Sequence, residues 1–510
     1  MTALLTFIVY FITVLCGYIN IFLSHCFGKI YFPLRSYLTA FNREEILNFN
    51  RTSNSLCNLA GFKAVIKTNI PYKLIDDLFF TLIAVLLIVL FYIGYKIVQS
   101  QKISQSHIIG WSLLFSFLMT VAIPSNSSDV YGYIARGAQQ SVYHQHPYLE
   151  TVSNIKNYRT NEMFCNFMWP FQPTTYGSIF IFMTRTIVQL SNNNFLSSLV
   201  NFKLLNLFAF LVLIYYLLKR NKTEDIYLLS WNPLILIQGL WNCHNDLISG
   251  MLIFVSLCLL TEKKRKTRHF WFMFILTAAI GIKYVPLIIL PLIFIYYIQS
   301  KTEKTILLNL ILGLVSGIIL ILIFSVEYLT SLSNLTAFPV SKFFSNVSLI
   351  HKSMISALDT IFKYFCNYFH FNLNLLTVYA FIKTFVYSIF ITIYLAILFR
   401  KKSDLIRDIV FILFIFFSFT IAKFHSWYLL NLIILIPFLK NDNFSQLLKN
   451  ILIVLSLSHV LAITFIDQAK ILNFLLMTLI PVIMVRTYAG EGKEAPGASP
   501  RSARRSGQER

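Results

Sequence analysis

Charge is what this chain has least of. Only 13% of its 510 residues are Asp, Glu, Lys or Arg, while 57% are hydrophobic; a soluble domain carries about 25% charged residues. That pairing excludes a soluble globular enzyme and a disordered chain. Cysteine is scarce as well. The seven present form no CxxC or CxH spacing, so neither a disulfide-stapled secreted domain nor a zinc module is indicated. Cys16 and Cys258 lie in apolar runs as packing residues, and Cys26 and Cys57 share one polar segment in which they pair if it is extracytoplasmic. Acidic residues number 21 against 43 basic ones, a net charge of +22. On a soluble chain that excess points to nucleic acid. Here the basic residues fill short gaps between apolar runs, as positive-inside loops do, and nucleic acid is not an expected partner. What remains is an all-α polytopic membrane protein.

Fourteen apolar runs read as spans: 3–24, 74–98, 107–124, 198–218, 226–243, 246–261, 269–282, 283–298, 305–326, 376–399, 405–421, 427–439, 445–464 and 470–486. No small-residue cleavage site follows the first, which reads as an uncleaved span. Several are shorter than the ~20 residues of a straight crossing, which suggests a thinned or cavity-bearing bundle. The basic stretches 219–222, 262–268, 301–304 and 400–402 set the cytoplasmic side, and counting outward from them places both termini inside. Residues 176–192 disturb the count, because a crossing there would put 219–222 outside. The run is short with Arg185 at its centre, and it reads as an interfacial or re-entrant helix. Residues 125–197 then form one long outer segment, and 327–375 a second.

Four parts follow: 1–106, with N-terminal spans and the outer segment 25–73; 107–300, the module carrying the chemistry; 301–489, the C-terminal spans; and 490–510, a Gly, Ala, Pro, Ser and Arg-rich tail of disordered composition. No internal repeat is visible, which speaks against an inverted-repeat transporter.

Polar residues near membrane depth are costly and so mark function by default. The densest group runs from Pro124 through Ser127, Ser128, Asp129, Tyr131, Tyr133 and Arg136 to His144, His146, Tyr148 and Glu150. Ser127 or Ser128 is placed to cap a helix starting near Asp129, whose carboxylate the positive helix end keeps ionised. Such a group suits a general base; by spacing alone, a simple capping residue is the stronger reading. Next come Trp231-Asn232-Pro233, with Pro233 expected to kink an apolar run, and His244-Asn245-Asp246 in a tight outer turn. These hold a sugar or phosphate, or serve only as turn and helix-start residues. Lys283, without an acidic sequence neighbour, suits a lipid phosphate or snorkels. Lys423, His425, Trp427 and Tyr428 offer cations and aromatic planes, or form an interfacial belt. All four groups fall on the outer side. The inner loops are short and basic, without a Gly-rich phosphate cradle, so a lipid-linked donor fits better than a nucleotide.

The order Ser128-Asp129-Val-Tyr131-Gly-Tyr133, Gly137, His146-Pro147-Tyr148, Pro173-Thr-Thr-Tyr176-Gly177, Asn232-Pro233, His244-Asn245-Asp246, Lys283-Tyr-Val-Pro286 resembles the polyprenyl-phosphate-mannose-dependent mannosyltransferases of bacterial lipoglycan assembly, which are integral-membrane GT-C glycosyltransferases. The resemblance covers about residues 107–300, with an echo at Trp427-Tyr428. It implies a GT-C bundle of about 14 transmembrane helices whose long first outer loop is catalytic and holds membrane-parallel helices. It also implies a metal-independent, inverting transfer outside the membrane. Asp129 matches the family's catalytic carboxylate, and the helix after Tyr176-Gly177 a membrane-parallel one. Two departures stand: Ser178 follows Tyr-Gly where the family often has Pro, and segment 25–73 with two extra spans precedes the matching region.

The expected function is hexosyl transfer, mannose favoured, from a polyprenyl-phosphate-sugar to a hydroxyl of a glycan or glycolipid acceptor, without cofactor. Asp129 is the base. Lys283 and His244 steady the departing phosphate, with Arg136 as a further cation. Asn245 and Asp246 hold hydroxyls, and Tyr131, Tyr133 and His425 complete the donor-binding set. A bacterial inner membrane with a periplasm-facing site is the expected location. One rival is a lipid-linked-oligosaccharide flippase, which would spread charges along a path through the bilayer. Another is an O-antigen ligase-like transferase using a lipid-diphosphate donor, which would carry an arginine-rich outer loop. A third, a non-catalytic membrane subunit, would lack activity when purified.

Overall fold

The computed structural model describes residues 1–27, 72–124, 127–262, 267–328, 353–369, 371, 375–400, 404–421 and 424–461, with residues 478, 479 and 483. Among these, every regular element is helical and no strand forms. The Cys26–Cys57 pairing, most of the run 470–486 and the tail from 490 lie outside the described residues.

Five described helices are long and apolar enough to cross a membrane: Thr81–Gln99, Phe195–Arg220, Lys304–Tyr328, Thr377–Leu398 and Asn443–Leu461. A sixth appears if the bent pair Ile235–Trp241 and Asp246–Thr261 counts as one. Other expected spans fold as apolar helices of 10–17 residues, among them Gln105–Val121 and Arg268–Ile282. The described residues thus form a helical bundle of membrane character with up to six full-length crossings among them; the expected span 3–24 lies within the helix Thr2–Phe27.

Burial separates lipid-facing from central helices. Thr377–Leu398 is 11% buried along its most apolar stretch, and Lys304–Tyr328 17%, whereas Phe195–Arg220 is 50% buried, with one face packed inside and Leu196, Val200, Leu204 and Phe208 exposed along the other. Its start is set by Asn194, whose side chain accepts from the Ser197 N–H at 2.9 Å; its end is set by Asn221 in the left-handed region. Both are ordinary signals for a helix boundary.

The run 176–192 folds as Ser178–Leu190. Thirteen residues span about 20 Å, short of a ~30 Å hydrocarbon core. This helix packs against Asp129–Ser141 at Gly137, where a Cβ would sit 2.4 Å from the Thr184 carbonyl oxygen. Only glycine permits that approach. The two short helices together hold the face that carries the site.

The run 226–243 is not one helix. An α-helix, Thr223–Ser230, stops before Pro233, and the chain resumes as a π-helix over Ile235–Trp241. Asn232 supports the break: its Oδ1 accepts from the Leu234 N–H, and its Nδ2 donates to Ser456 Oγ. The axis then turns by 114° into Asp246–Thr261. That bend draws the polar turn 242–245 inside, where His244, Asn245 and Asp246 are at most 1% exposed.

Candidate active site

Asp129 opens the Asp129–Ser141 helix, as the sequence predicts. Its N–H donates to Ser127 Oγ at 3.2 Å, while Ser128 gives no side-chain cap. Its carboxyl does not fold back as a cap. Oδ2 instead lies 3.2 Å from His244 Nδ1, with the imidazole fully buried and the Asp129 side chain 20% exposed. Burial alone would push this carboxyl up. Contact with His244 and its charge, together with those of His425 and Lys283, outweighs burial and holds it below the usual carboxylate range.

The turn residues meet the Asp129 helix directly. Tyr133 Oη donates to Asn245 Oδ1 at 3.3 Å and accepts from the Asn245 N–H at 3.2 Å. The Tyr133 ring packs edge-on against Tyr176 and Phe180, at 5.3 and 4.8 Å between centroids. Tyr133 therefore joins the Asp129–Ser141 helix, the Ser178–Leu190 helix and the polar turn.

Lys283 follows the last residue of Arg268–Ile282, a favourable place for a cation. It is not the isolated lysine its sequence neighbours suggest. Nζ donates to Asp246 Oδ1 at 2.6 Å and lies 4.2 Å above the Tyr428 ring. Asn431 Nδ2 donates to the same Asp246 oxygen at 2.7 Å. Asn431 escaped the sequence reading because nothing distinguishes it from the apolar run around it except its own amide. Trp427 stacks with both imidazoles, His244 at 4.0 Å and His425 at 4.3 Å between centroids. Lys423 lies outside the described residues.

Arg136 and Tyr131 stand apart from this group. Arg136 lies about 10 Å along the helix from Asp129. Its Nη1 donates to Gln139 Oε1 at 2.7 Å, Nη2 donates to the Gln172 carbonyl, and its guanidinium covers the Phe167 ring. It ties the Asp129–Ser141 helix to the stretch around Phe167 and Gln172. Tyr131 Oη donates to the Pro124 carbonyl at 2.9 Å, and its ring stacks on Phe195. The His146-Pro147-Tyr148 motif is likewise internal: His146 Nδ1 accepts from the N–H groups of Tyr148 and Leu149.

Around Asp246 the buried polar groups are not all met. Asn245 Nδ2, Asp246 Oδ2, Ser249 Oγ and Asn431 Oδ1 have no hydrogen-bond partner, and neither His244 ring nitrogen makes an aligned hydrogen bond. Orphan buried polar atoms are rare in native proteins. Donors and acceptors mixed in this way match the demands of a hydroxylated ligand. Among the described residues, no three His, Cys, Asp or Glu side chains gather as a metal site.

The arrangement offers an ionised, partly open carboxylate beside an imidazole, a lysine one residue group away, and aromatic planes flanking them. Residues 51–299 match the family model described as alpha-(1->6)-mannopyranosyltransferase, N-terminal domain. That match supports a mannosyltransferase. No curated protein and no solved structure matched the chain.

Proposed function

We propose that the chain is a membrane glycosyltransferase that moves mannose from a polyprenyl-phosphate-sugar to a hydroxyl of a glycan or glycolipid acceptor. The reading rests on Asp129: a carboxylate held ionised against burial, with an open face, between His244 and the Lys283–Asp246 pair. The family match over 51–299 supports the sugar.

In this reading the acceptor hydroxyl attacks the anomeric carbon while the bond from that carbon to the phosphate oxygen breaks. The bonding pair leaves with the lipid phosphate, and the hydroxyl proton passes to Asp129. One in-line displacement inverts the anomeric centre. A carboxylate below its usual range is a weak base, so proton transfer follows as the attacking oxygen becomes acidic. Lys283, 14% exposed, turns its remaining N–H donors to the departing phosphate. The unmet atoms of Asn245 and Asp246 take sugar or acceptor hydroxyls. No step is routed through a metal or cofactor.

The extracytoplasmic face is favoured by the Phe195–Arg220 helix. It spans about 39 Å; its first turns adjoin the site, and its far end carries Lys219 and Arg220. Basic residues at that far end favour the cytoplasm, and the inner membrane of a bacterium is the setting proposed.

The test is Asp129→Asn, which keeps the shape and loses the base. At matched protein level, transfer from polyprenyl-phosphate-mannose is expected to fall by about 10²–10⁴-fold. Full retained transfer removes the reading.

A further inference from the structure

Lys203 lies nine residues into the apolar, membrane-length helix Phe195–Arg220 and is 6% exposed. None of its contacts is acidic. Nζ donates to three backbone carbonyls: Met119 at 3.3 Å, Trp241 at 3.0 Å, and Ala122. An ammonium has three donors, and all three are used.

Those carbonyls are not arbitrary. Met119 and Ala122 end the Gln105–Val121 helix, and Trp241 ends the π-helix Ile235–Trp241. The last carbonyls of a helix have no partner within it and carry its negative end. Lys203 therefore caps two helices at once. The chain leaving the first runs seven residues from Ala122 to Asp129, and the chain leaving the second runs three residues from Trp241 to His244.

One turn further along the same helix, Asn206 repeats the pattern. Its Nδ2 donates to the Gly239 carbonyl at 2.8 Å and the His244 carbonyl at 3.1 Å. Trp241 Nε1 donates to the Ile123 carbonyl, tying the two exits directly. Between them Cys243 adopts φ 60°, a left-handed conformation that a residue with a Cβ adopts rarely, with its Sγ against the Phe202 carbonyl. Such a backbone persists where its surroundings over-determine it.

We infer that Lys203 is a positioning residue, a buried cation that clamps the ends of two helices and so sets Asp129 against His244. The inference rests on the reading of Asp129 as the base, and it assigns Lys203 no contact with substrate.

The experiment uses the full chain in detergent, with polyprenyl-phosphate-mannose as donor and octyl α-mannoside as acceptor. Lys203→Met is expected to lower kcat by about 10- to 100-fold with donor KM within about twofold. The acid limb of kcat is expected to move to higher pH as His244 loosens from Asp129. An unchanged kcat and acid limb in folded Lys203→Met would overturn the inference. So would a loss of active protein with an unmoved limb, the mark of a merely structural lysine. Should Lys203→Met not fold, Lys203→Gln, which keeps two N–H donors, is read by the same outcomes. Asp129→Asn separates the two claims: transfer retained there removes the base, whereas transfer lost there with Lys203→Met unaffected removes only the clamp.

Discussion

Lys283 and Asp246 meet at 2.6 Å across 37 positions of sequence, with the carboxylate buried and the lysine slightly open. Removing one partner of a buried pair costs about 3–5 kcal/mol, because the other charge is left unpaired. Lys283→Met alone is therefore expected to lower thermal stability and raise donor KM together. The double variant Lys283→Met/Asp246→Asn is expected to recover most of the stability while donor KM stays at least about tenfold high. Recovery of both by the double variant would show that Lys283 serves only its partner.

The pH dependence of transfer follows from Asp129. Its folded-state pKa is depressed, so the base is ionised throughout the neutral range. Activity is expected to hold as pH falls and to fail only below the usual carboxylate range. The same sign applies to stability: the contribution is present above the unfolded-state pKa and lost as pH falls through the folded one. His244→Gln removes the main charge opposing burial, so the acid limb should move to higher pH. A kcat–pH profile of the variant that overlays the wild type would sever the pair.

Two glycines give opposite expectations. A Cβ on Gly177 would lie 2.2 Å from the Gly281 carbonyl oxygen, and the Gly177 N–H donates to the Ile282 carbonyl at 3.2 Å. Gly177→Ala is expected to cost about 1–3 kcal/mol by overpacking and, because Lys283 follows at once, to raise donor KM. Gly110 has nothing within 4 Å of such a Cβ. Gly110→Ala in that helix interior is expected to be neutral, or stabilising by up to about 1 kcal/mol. Thermal melts of both proteins check the pair.

The proposed orientation is tested at Cys165, a partly exposed thiol in the segment 125–197 that the proposal places outside. In a variant keeping only that cysteine, a membrane-impermeant maleimide should label intact spheroplasts. Labelling seen only after permeabilisation would reverse the topology.

What the sequence made legible was local. Apolar runs and caps placed the helices closely: 198–218 became Phe195–Arg220, 305–326 became Lys304–Ser325, and a helix starts at Asp129. Pro233 announced a break in 226–243, although neither the π-helix nor the 114° turn beyond it has a sequence signature. The long-range pairs were not legible. Nothing near Lys283 named Asp246, and Arg136 read as a site cation until the fold laid it against the Gln172 carbonyl. Lys203 did leave one sign, a lysine within an apolar run of span length, but its partners are backbone carbonyls, which every residue has.

The same three carbonyls bear on how the chain enters a membrane. Helix Gln105–Val121 precedes Lys203 in synthesis, but the Trp241 carbonyl follows it by 38 residues. Until that later stretch arrives, an ammonium at membrane depth lacks one of its three acceptors, a costly state in hydrocarbon. The Lys203 helix is thus poorly suited to settle alone in lipid and is expected to enter it together with the later stretch. Ribosome-released chains ending at residue 230 should be degraded faster than chains ending at 262, and Lys203→Leu should abolish the difference.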